Sequence, residues 1–490
     1  MIAIKLKDSR NPKEPCLLFE YDIQGIVRSY FPREKMITGD ADSPFMTVQA
    51  TYSEDMVELS CVIGQWWRKA VFHANWEEQR GVKDRVKQEL YRMLQEYTGK
   101  SLPWGTLSGI RPTKLVVAML EEGKEEQQVR EEMRHTYYLS QEKLDLSIKI
   151  AKKEIDLLSK VDYQNSYSIY IGIPFCPSTC LYCSFTSYPI HTYKKMVEEY
   201  LDALCKEIRQ TADIFMKKKP VSVYIGGGTP TTLEPGQMDR LLRVIKETFE
   251  FSCVREFTVE AGRPDSITEE KLMTLKKHGV SRISINPQTM RDDTLKLIGR
   301  AHSAEQVREA FWLARKCGFD NINMDFILGL PQESIEDVEY SMKEASKLAP
   351  DSITIHSLAI KRASKLGINL EDYKEYTMEN NQKIIQLTRD YAQRMHMEPY
   401  YLYRQKNIAG NMENVGYAAE GKEGLYNILI MEEKQTILAF GAGGTTKLVF
   451  PEQNQKIVRV ENVKDVKNYI ERVEEMIARK KTAWTIHGGI

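Results

Sequence analysis

Three cysteines, Cys176, Cys180 and Cys183, fall within eight residues in the stretch YIGIPFCPSTCLYCSF, spaced C-x3-C-x2-C. The thiolate form of cysteine is a soft metal ligand. Three of them are an odd number for disulfides and one short of a closed four-ligand zinc site. A [4Fe–4S] cube takes one thiolate per iron. Three cysteines would hold three irons and leave the fourth open to a non-protein ligand. Pro174 and Pro177 stiffen the loop. Zinc with His191 as fourth ligand, or accidental clustering, are the other readings of these residues.

A second group follows at Gly226-Gly227-Gly228-Thr229-Pro230. Alone, such a run reads as a tight turn. Beside a cluster loop, its glycines would let the backbone approach a ligand and offer unobstructed N–H and C=O groups. No Gly-Lys-Ser/Thr follows, which excludes a Walker-type phosphate loop.

The elements that position these groups alternate. Apolar runs YSIYIGI, VSVYIGG, REFTVEA, SRISIN, NINMDFIL and DSITIHSL are separated by helix-length segments near 192–216, 235–250, 266–279, 290–298, 303–316 and 333–347. Strands with little polar interruption, joined by helices, predict a parallel sheet of βα units. Six units predict an α/β fold, an open six-stranded (β/α)6 partial barrel, with its chemistry at the C-terminal strand ends. The unusual residues fall there. The cysteines follow the first strand and the glycines the second. Glu260 closes the third, Asn286-Pro287-Gln288 follows the fourth, Asp325 lies at the end of the fifth, and His356 is on the sixth.

Residues 165–377 are therefore expected to form the barrel. Residues 1–164 are expected to form an N-terminal α+β domain, with strands at 56–64 and 69–74 and helices at 81–99 and 141–161. Residues 378–490 are expected to form a C-terminal α+β region covering the barrel. Its expected strands are YYLYRQKN, LYNILIM, TILAFGAGGTTKLVF and KIVRVEN, and its last helix runs near 463–480.

Lys+Arg and Asp+Glu both number 69 in 490 residues, so no global basic surface argues for nucleic acid. No run approaches the about 20 apolar residues of a membrane span. The opening MIAIKLKDSRNPKEPC lacks the apolar core of a signal peptide, and a cytoplasmic protein is expected. Eight cysteines are too few for a disulfide scaffold of this length. Cys16, Cys61, Cys205, Cys253 and Cys317 read as scattered, buried thiols.

C-x3-C-x2-C after the first strand, with GGGTP after the second, resembles the radical S-adenosylmethionine (SAM) superfamily. YIGIPFCPSTCLYCSF, GGGTPTTL, RISINPQTM, IGRAH and NMDFILGLPQES resemble its oxygen-independent coproporphyrinogen III oxidase family, and the whole is most similar to the HemZ-type coproporphyrinogen dehydrogenases. The resemblance implies that Cys176, Cys180 and Cys183 ligate a [4Fe–4S] cluster whose open iron takes SAM. It places Tyr170 beside cluster and cofactor, and Gly227, Gly228 and Thr229 at the methionine end. It makes Glu260, Gln288, Arg300 and Asp325 polar contacts to SAM. It also implies a tetrapyrrole substrate, a reduced flavodoxin- or ferredoxin-type electron donor, and conversion of two propionates of coproporphyrinogen III to vinyls. His356, Lys361, Arg362 and Arg404 are weighed as propionate-binding groups, or as ordinary core and surface residues. Two positions depart from the decarboxylating pattern: Phe185 stands where a fourth cysteine is found, and Gly172 where a His is found. Phe is typical there of HemW-type haem carriers. A haem-delivery protein and a radical enzyme acting on another tetrapyrrole, such as a haem methyltransferase-like one, stay open beside the dehydrogenase.

Overall fold

The computed structural model describes residues 1–487 apart from 12–15, 33, 216–217, 370–372, 374–375, 406–411 and 454. The chain divides into two compact units, Met1–Lys152 with Arg404–Asn411, and Lys153–Tyr403 with Met412–Ile490.

The first unit holds a five-stranded sheet in the order Met36–Thr38, Ile2–Asp8, Met46–Tyr52, Met56–Ile63, Trp66–His73. Its third and fourth strands bury alternate residues, so one face meets a core and the other does not. Helices Glu20–Tyr30 and Gln79–Thr98 bring apolar faces to that core. Gly99, at φ +67°, ends the second of them in the left-handed conformation that glycine adopts without strain. The turn-rich WGTLSGIRPTKLV gives way to a helix at Thr113, just after Pro112.

The second unit is built on the six βα repeats. Its strands are β1 Ser166–Ile173, β2 Lys219–Gly227, β3 Glu256–Glu260, β4 Arg282–Ser284, β5 Ile322–Leu328 and β6 Ser352–Ser357. All are parallel and adjacent in chain order. β1 and β5 are buried almost throughout, as strands covered on both faces must be. The covering helices start where capping chemistry dictates. Ser303 pairs with Gln306 ahead of Ala304–Lys316, and Ser334 with Asp337 ahead of Ile335–Leu348. Pro235 opens Pro235–Thr248 behind Glu234. The expected 192–216 helix is realised as short turns followed by α1, Val197–Thr211; position 216 lies outside the described residues.

Residues 378–490 contribute to this same sheet at both edges. β7 Glu398–Tyr403 and β8 Asn414–Ala418 lie antiparallel beyond β6. The last two positions of YYLYRQKN lie outside the described residues. TILAFGAGGTTKLVF is two strands, β9 Ile437–Phe440 and β10 Thr445–Phe450, turned at the glycines. β9 is parallel to β1 and extends the parallel array by one strand, followed by β10 and β11 Lys456–Glu461. The closing helical segment is broken at Arg472 into Val466–Glu471 and α3, Val473–His487; α2 denotes the helix described next.

LYNILIM is not a strand. It is α2, Leu425–Glu432. Its apolar residues are buried on several sides, so the run lacks the polar stripe that marks a helix by periodicity. Its first turn is capped from elsewhere: the buried Glu256 carboxylate accepts the N–H of Leu425 at 2.5 Å and of Tyr426 at 3.3 Å. A carboxylate at a helix N-terminus satisfies orphan donors and favours the helix dipole.

Replacing Glu256 with Ala leaves two buried N–H groups without that acceptor, and is expected to cost about 1–3 kcal/mol. Glu256→Gln, which keeps an acceptor, should cost less. Urea unfolding of the three proteins checks the order.

Candidate functional site

The cysteine loop leaves β1 through Pro174 and is pinned by the glycine run. Gly228 N–H donates to Ile173 O and Thr229 N–H to Phe175 O, both at 2.7 Å. Only glycine permits this approach. Gly227 sits at φ +103°, and a Cβ on Gly228 would lie 2.6 Å from Phe175 O and 3.0 Å from Cys176 Sγ. Thr229 is buried and its hydroxyl donates to Cys176 Sγ at 3.4 Å.

The rest of the loop is tied to the strand-4 side of the barrel. Leu181 N–H donates to Ile298 O at 2.9 Å, and Ser178 Oγ to Gly299 O at 2.8 Å. Two buried arginines approach Cys180. Arg263 points Nη1 at Ser178 Oγ, 3.1 Å, and Cys180 Sγ, 3.8 Å. Arg300 donates from Nη1 to Asn286 O at 2.5 Å, and its charge is felt by Cys180 and Tyr182, while its buried Nε has no hydrogen-bond partner.

Burial pushes the Cys176 thiol up to about 11, reinforced by Cys180 and Cys183 and opposed by Thr229. Burial raises Cys183 as well. Bare, these two are neutral thiols; a bound cation is what makes such groups thiolates. The donor set suits a cluster: three thiols, a hydroxyl aimed at one of them and guanidinium groups beside another. Among the described residues, no three His, Cys, Asp or Glu groups stand close enough to hold a single metal ion. A cube binds its thiolates through separate irons and does not require such convergence. His191, weighed as a zinc ligand, is exposed on the short helix Ile190–Tyr193.

Beyond the glycines, the strands and the loops that follow them bring the other expected residues together. Tyr170 OH lies 3.2 Å from where a Gly227 Cβ would stand. The Tyr170 ring is near-parallel to those of Tyr224, 6.3 Å away, and Tyr426, 6.2 Å away. Tyr224 OH donates to Glu260 at 2.5 Å. Burial raises the Glu260 carboxyl to about 7; Asp325 adds to this, and Tyr224 and His356 oppose it. Asp325 behaves in the opposite way. Burial favours its neutral form, yet His356 and Asn323 outweigh that and hold it below the usual carboxylate range. Asn323 Nδ2 donates to it at 2.7 Å, and His356 Nε2 stands 3.7 Å away. Two neighbouring carboxyls thus carry different protons near neutrality. Gln288 is buried at φ +71°, held there by main-chain bonds of 2.9 Å to Asp325 O and from Ile327 N. Such strain is maintained only where both sides of the residue are fixed.

The structure therefore gathers the expected residues in two groups. Cys176, Cys180, Cys183, Gly228, Thr229 and Arg300 belong to the cysteine loop and its walls; Gly227 and Glu260 end β2 and β3, Gln288 follows β4, and Tyr170 and Asp325 lie within β1 and β5, Asp325 at the middle of its strand rather than at the expected end, because β5 runs on to Leu328. His356 is a hydrogen-bonded bridge, with Nδ1 3.1 Å from Tyr403 OH and Nε2 towards Asp325. Arg404 belongs to the N-terminal unit, where it donates to Leu107 O and lies 5.6 Å from the Trp104 ring centre. Sequence reasoning missed Arg263, Asp265, Tyr182, Tyr224 and Tyr426. The Arg263-Pro264-Asp265 turn, separated from Glu260 by two residues, was the available signal for two of them.

The Radical SAM superfamily model matches residues 170–345. The chain is 40% identical over 408 residues to the oxygen-independent coproporphyrinogen-III oxidase-like protein HemZ of Bacillus subtilis (strain 168), spanning 82% of this chain and 81% of that protein. It is 32% identical over 314 residues to the heme chaperone HemW of the same organism, covering 63% of this chain and 76% of that protein. An oxygen-independent coproporphyrinogen III oxidase of Salmonella typhimurium is 32% identical over 192 residues, covering 39% of this chain and 42% of that protein. Among solved structures, coproporphyrinogen III oxidase (HemN) from Escherichia coli matches with a TM-score of 0.52 at 22% identity, over 66% of this chain and 72% of that one, a likeness of fold. No helix among the described residues is long and apolar enough to cross a membrane.

Two outcomes are expected. Gly228→Ala should drive a methyl group into the Phe175 carbonyl and sharply reduce iron and sulfide content after reconstitution, with little loss of helicity by circular dichroism. For the metal-free protein, a Glu260 carboxyl raised from 4.5 to about 7 contributes stability below about pH 4.5 that is lost as pH rises through about 7. Glu260→Gln should therefore flatten the decline in urea midpoint across that window.

Proposed function

Since the chain belongs to the oxygen-independent coproporphyrinogen III oxidase-like (HemN/HemZ) family of the radical SAM superfamily, with a [4Fe–4S] cluster and SAM as its cofactors, we propose that it converts two propionate side chains of coproporphyrinogen III to vinyls, giving protoporphyrinogen IX. The observation that carries this reading is the similarity to the HemZ relative along four-fifths of both chains, 82% and 81%. Each propionate would lose one hydrogen atom, carbon dioxide and one electron. A reduced flavodoxin- or ferredoxin-type protein would feed the site, and an external acceptor would take the electron released from substrate.

Bound together, cluster and SAM supply a one-electron C–S cleavage and a carbon radical able to abstract hydrogen. Cys176, Cys180 and Cys183 would hold three irons, and the Thr229 hydroxyl would steady Cys176. The Gly227–Thr229 backbone would face the methionyl end of SAM. Arg300, whose Nε lacks a partner in its buried setting, suits the carboxylate. Asp325, held ionised, suits the ammonium or ribose hydroxyls, and Glu260, half-protonated near pH 7, can accept or donate there. Tyr170, Tyr224 and Tyr426 would exclude water from the radical's path with flat, rigid surfaces. Gln288, with its backbone fixed on both sides, would present its amide without reorganisation.

One observation favours a second reading, haem binding and delivery. Phe185, two residues past Cys183, is 75% exposed, a large ring offered to solvent beside the cysteine loop.

Anaerobic reconstitution followed by reductant, SAM and coproporphyrinogen III separates these readings. Loss of two carbon dioxide units from the tetrapyrrole, with 5′-deoxyadenosine formed and both abolished by Cys180→Ala, is the expected result. 5′-Deoxyadenosine with an unaltered tetrapyrrole would move the assignment to another substrate. A verified cluster with neither product, and haem bound tightly in a Phe185-dependent way, would establish the carrier.

A further inference from the structure

The Arg263–Asp265 pair lies outside the residues assigned above to SAM, yet it is built against the cysteine loop. The Arg263 side chain is 3% exposed. Its Nε and Nη2 engage Asp265 in a two-pronged ion pair at 3.0 and 2.8 Å. This fixes the guanidinium plane and leaves Nη1 directed at Ser178 Oγ, Ser178 O and Cys180 Sγ, at 3.1, 3.4 and 3.8 Å. Asp265 is held ionised against its burial by His302 and Arg263, and the buried His302 Nδ1 stands 3.8 Å from it. Burying a guanidinium is costly unless it is paired, and here a carboxylate neutralises one side while the other faces a metal-binding thiol. A clamp for the loop alone would need only the Ser178 contacts. The approach to Cys180 Sγ adds something else.

On the reading that Cys176, Cys180 and Cys183 hold the cluster, we propose that Arg263 is a positioning residue that sets the cluster's reduction potential through a charge-assisted N–H···S bond to Cys180. Reduction adds one electron to the cluster, with no bond broken and no proton moved. A fixed cationic donor at a ligating sulfur stabilises the more negative, reduced state and raises the potential. Arg263 thereby makes the cluster easier for a weak one-electron donor to reduce. Asp265 keeps the donor aimed, and a lysine cannot reproduce the fork.

The test uses the full-length protein reconstituted without air, as wild type, Arg263→Gln and Arg263→Lys. Iron and sulfide are counted, and dithionite-poised redox titrations are followed by the EPR signal of the reduced cluster. The expected result is a full cluster in all three, with the potential more negative in Arg263→Gln and an intermediate value in Arg263→Lys. Binding of SAM, measured by equilibrium dialysis, should change less than about twofold, because Arg263 is not among its ligands. Full clusters with unchanged potentials would overturn the proposal. Loss of the cluster from both variants would also overturn it, in favour of a purely mechanical clamp. Failure of the wild type itself to assemble a [4Fe–4S] cluster would instead sink the underlying site assignment.

Discussion

Two main-chain hydrogen bonds, Gly228 N–H to Ile173 O and Thr229 N–H to Phe175 O, are the contacts on which the site depends. They carry the pairing of β1 and β2 past the end of both strands and into the cysteine loop. The loop therefore inherits the rigidity of the sheet rather than the mobility of a free connection. The requirement falls on side-chain volume: any Cβ at Gly228 would collide with Phe175 O. The glycine run is thus a structural partner of the cysteines, whatever it offers to a cofactor.

Around that loop the charges are sorted, although the chain as a whole is neutral. Guanidinium groups line the Cys180 side, which suits the negative charge of a cluster held by three thiolates. Carboxyls and tyrosines line the strands beyond the glycines, which suits the sulfonium and ammonium of a bound SAM. A buried polar network holds the back of β1. Glu207 of α1 pairs with Lys480 of α3 and accepts from Tyr469, Asn462 and the Gly441 N–H, while Tyr200 donates to Gly172 O at 2.6 Å. At the Gly172 departure, a Cβ would lie 3.4 and 3.5 Å from the carbonyl oxygens of Phe440 and Ala442, which is ordinary contact, so the backbone there does not itself demand glycine.

The barrel strands were readable because each is a short apolar run bounded by turn formers, and fully buried strands leave that pattern. The places of the cysteines, the glycines and Glu260 were readable for the same reason, since they follow from the strand ends, whereas Asp325 proved to lie in mid-strand because β5 runs on through an apolar stretch to Leu328. What could not be read were features whose cause lies far along the chain. The helix Leu425–Glu432 owes its first turn to Glu256, and its burial on several sides erased the periodicity that would have marked it. β9 joins β1 through partners that no local pattern connects. Arg263 has the sequence appearance of a surface residue until the fold brings Ser178 and Cys180 to it. The tyrosine stack is likewise assembled from β1, β2 and α2, one ring from each.

The seating of β9 beside β1 has a temporal consequence. Gln435, at the entry to β9, accepts a bond from Ser168 of β1 across 267 residues. During synthesis, the strand leading to the cysteines emerges early, pairs with β2, and keeps its other edge bare until β9 leaves the ribosome. An unpaired apolar edge is a template for wrong partners. The nascent barrel therefore passes through a long interval in which its most valuable strand is half-covered. A chain cut before residue 437 would leave that edge of β1 permanently bare and is expected to aggregate more readily than the full chain.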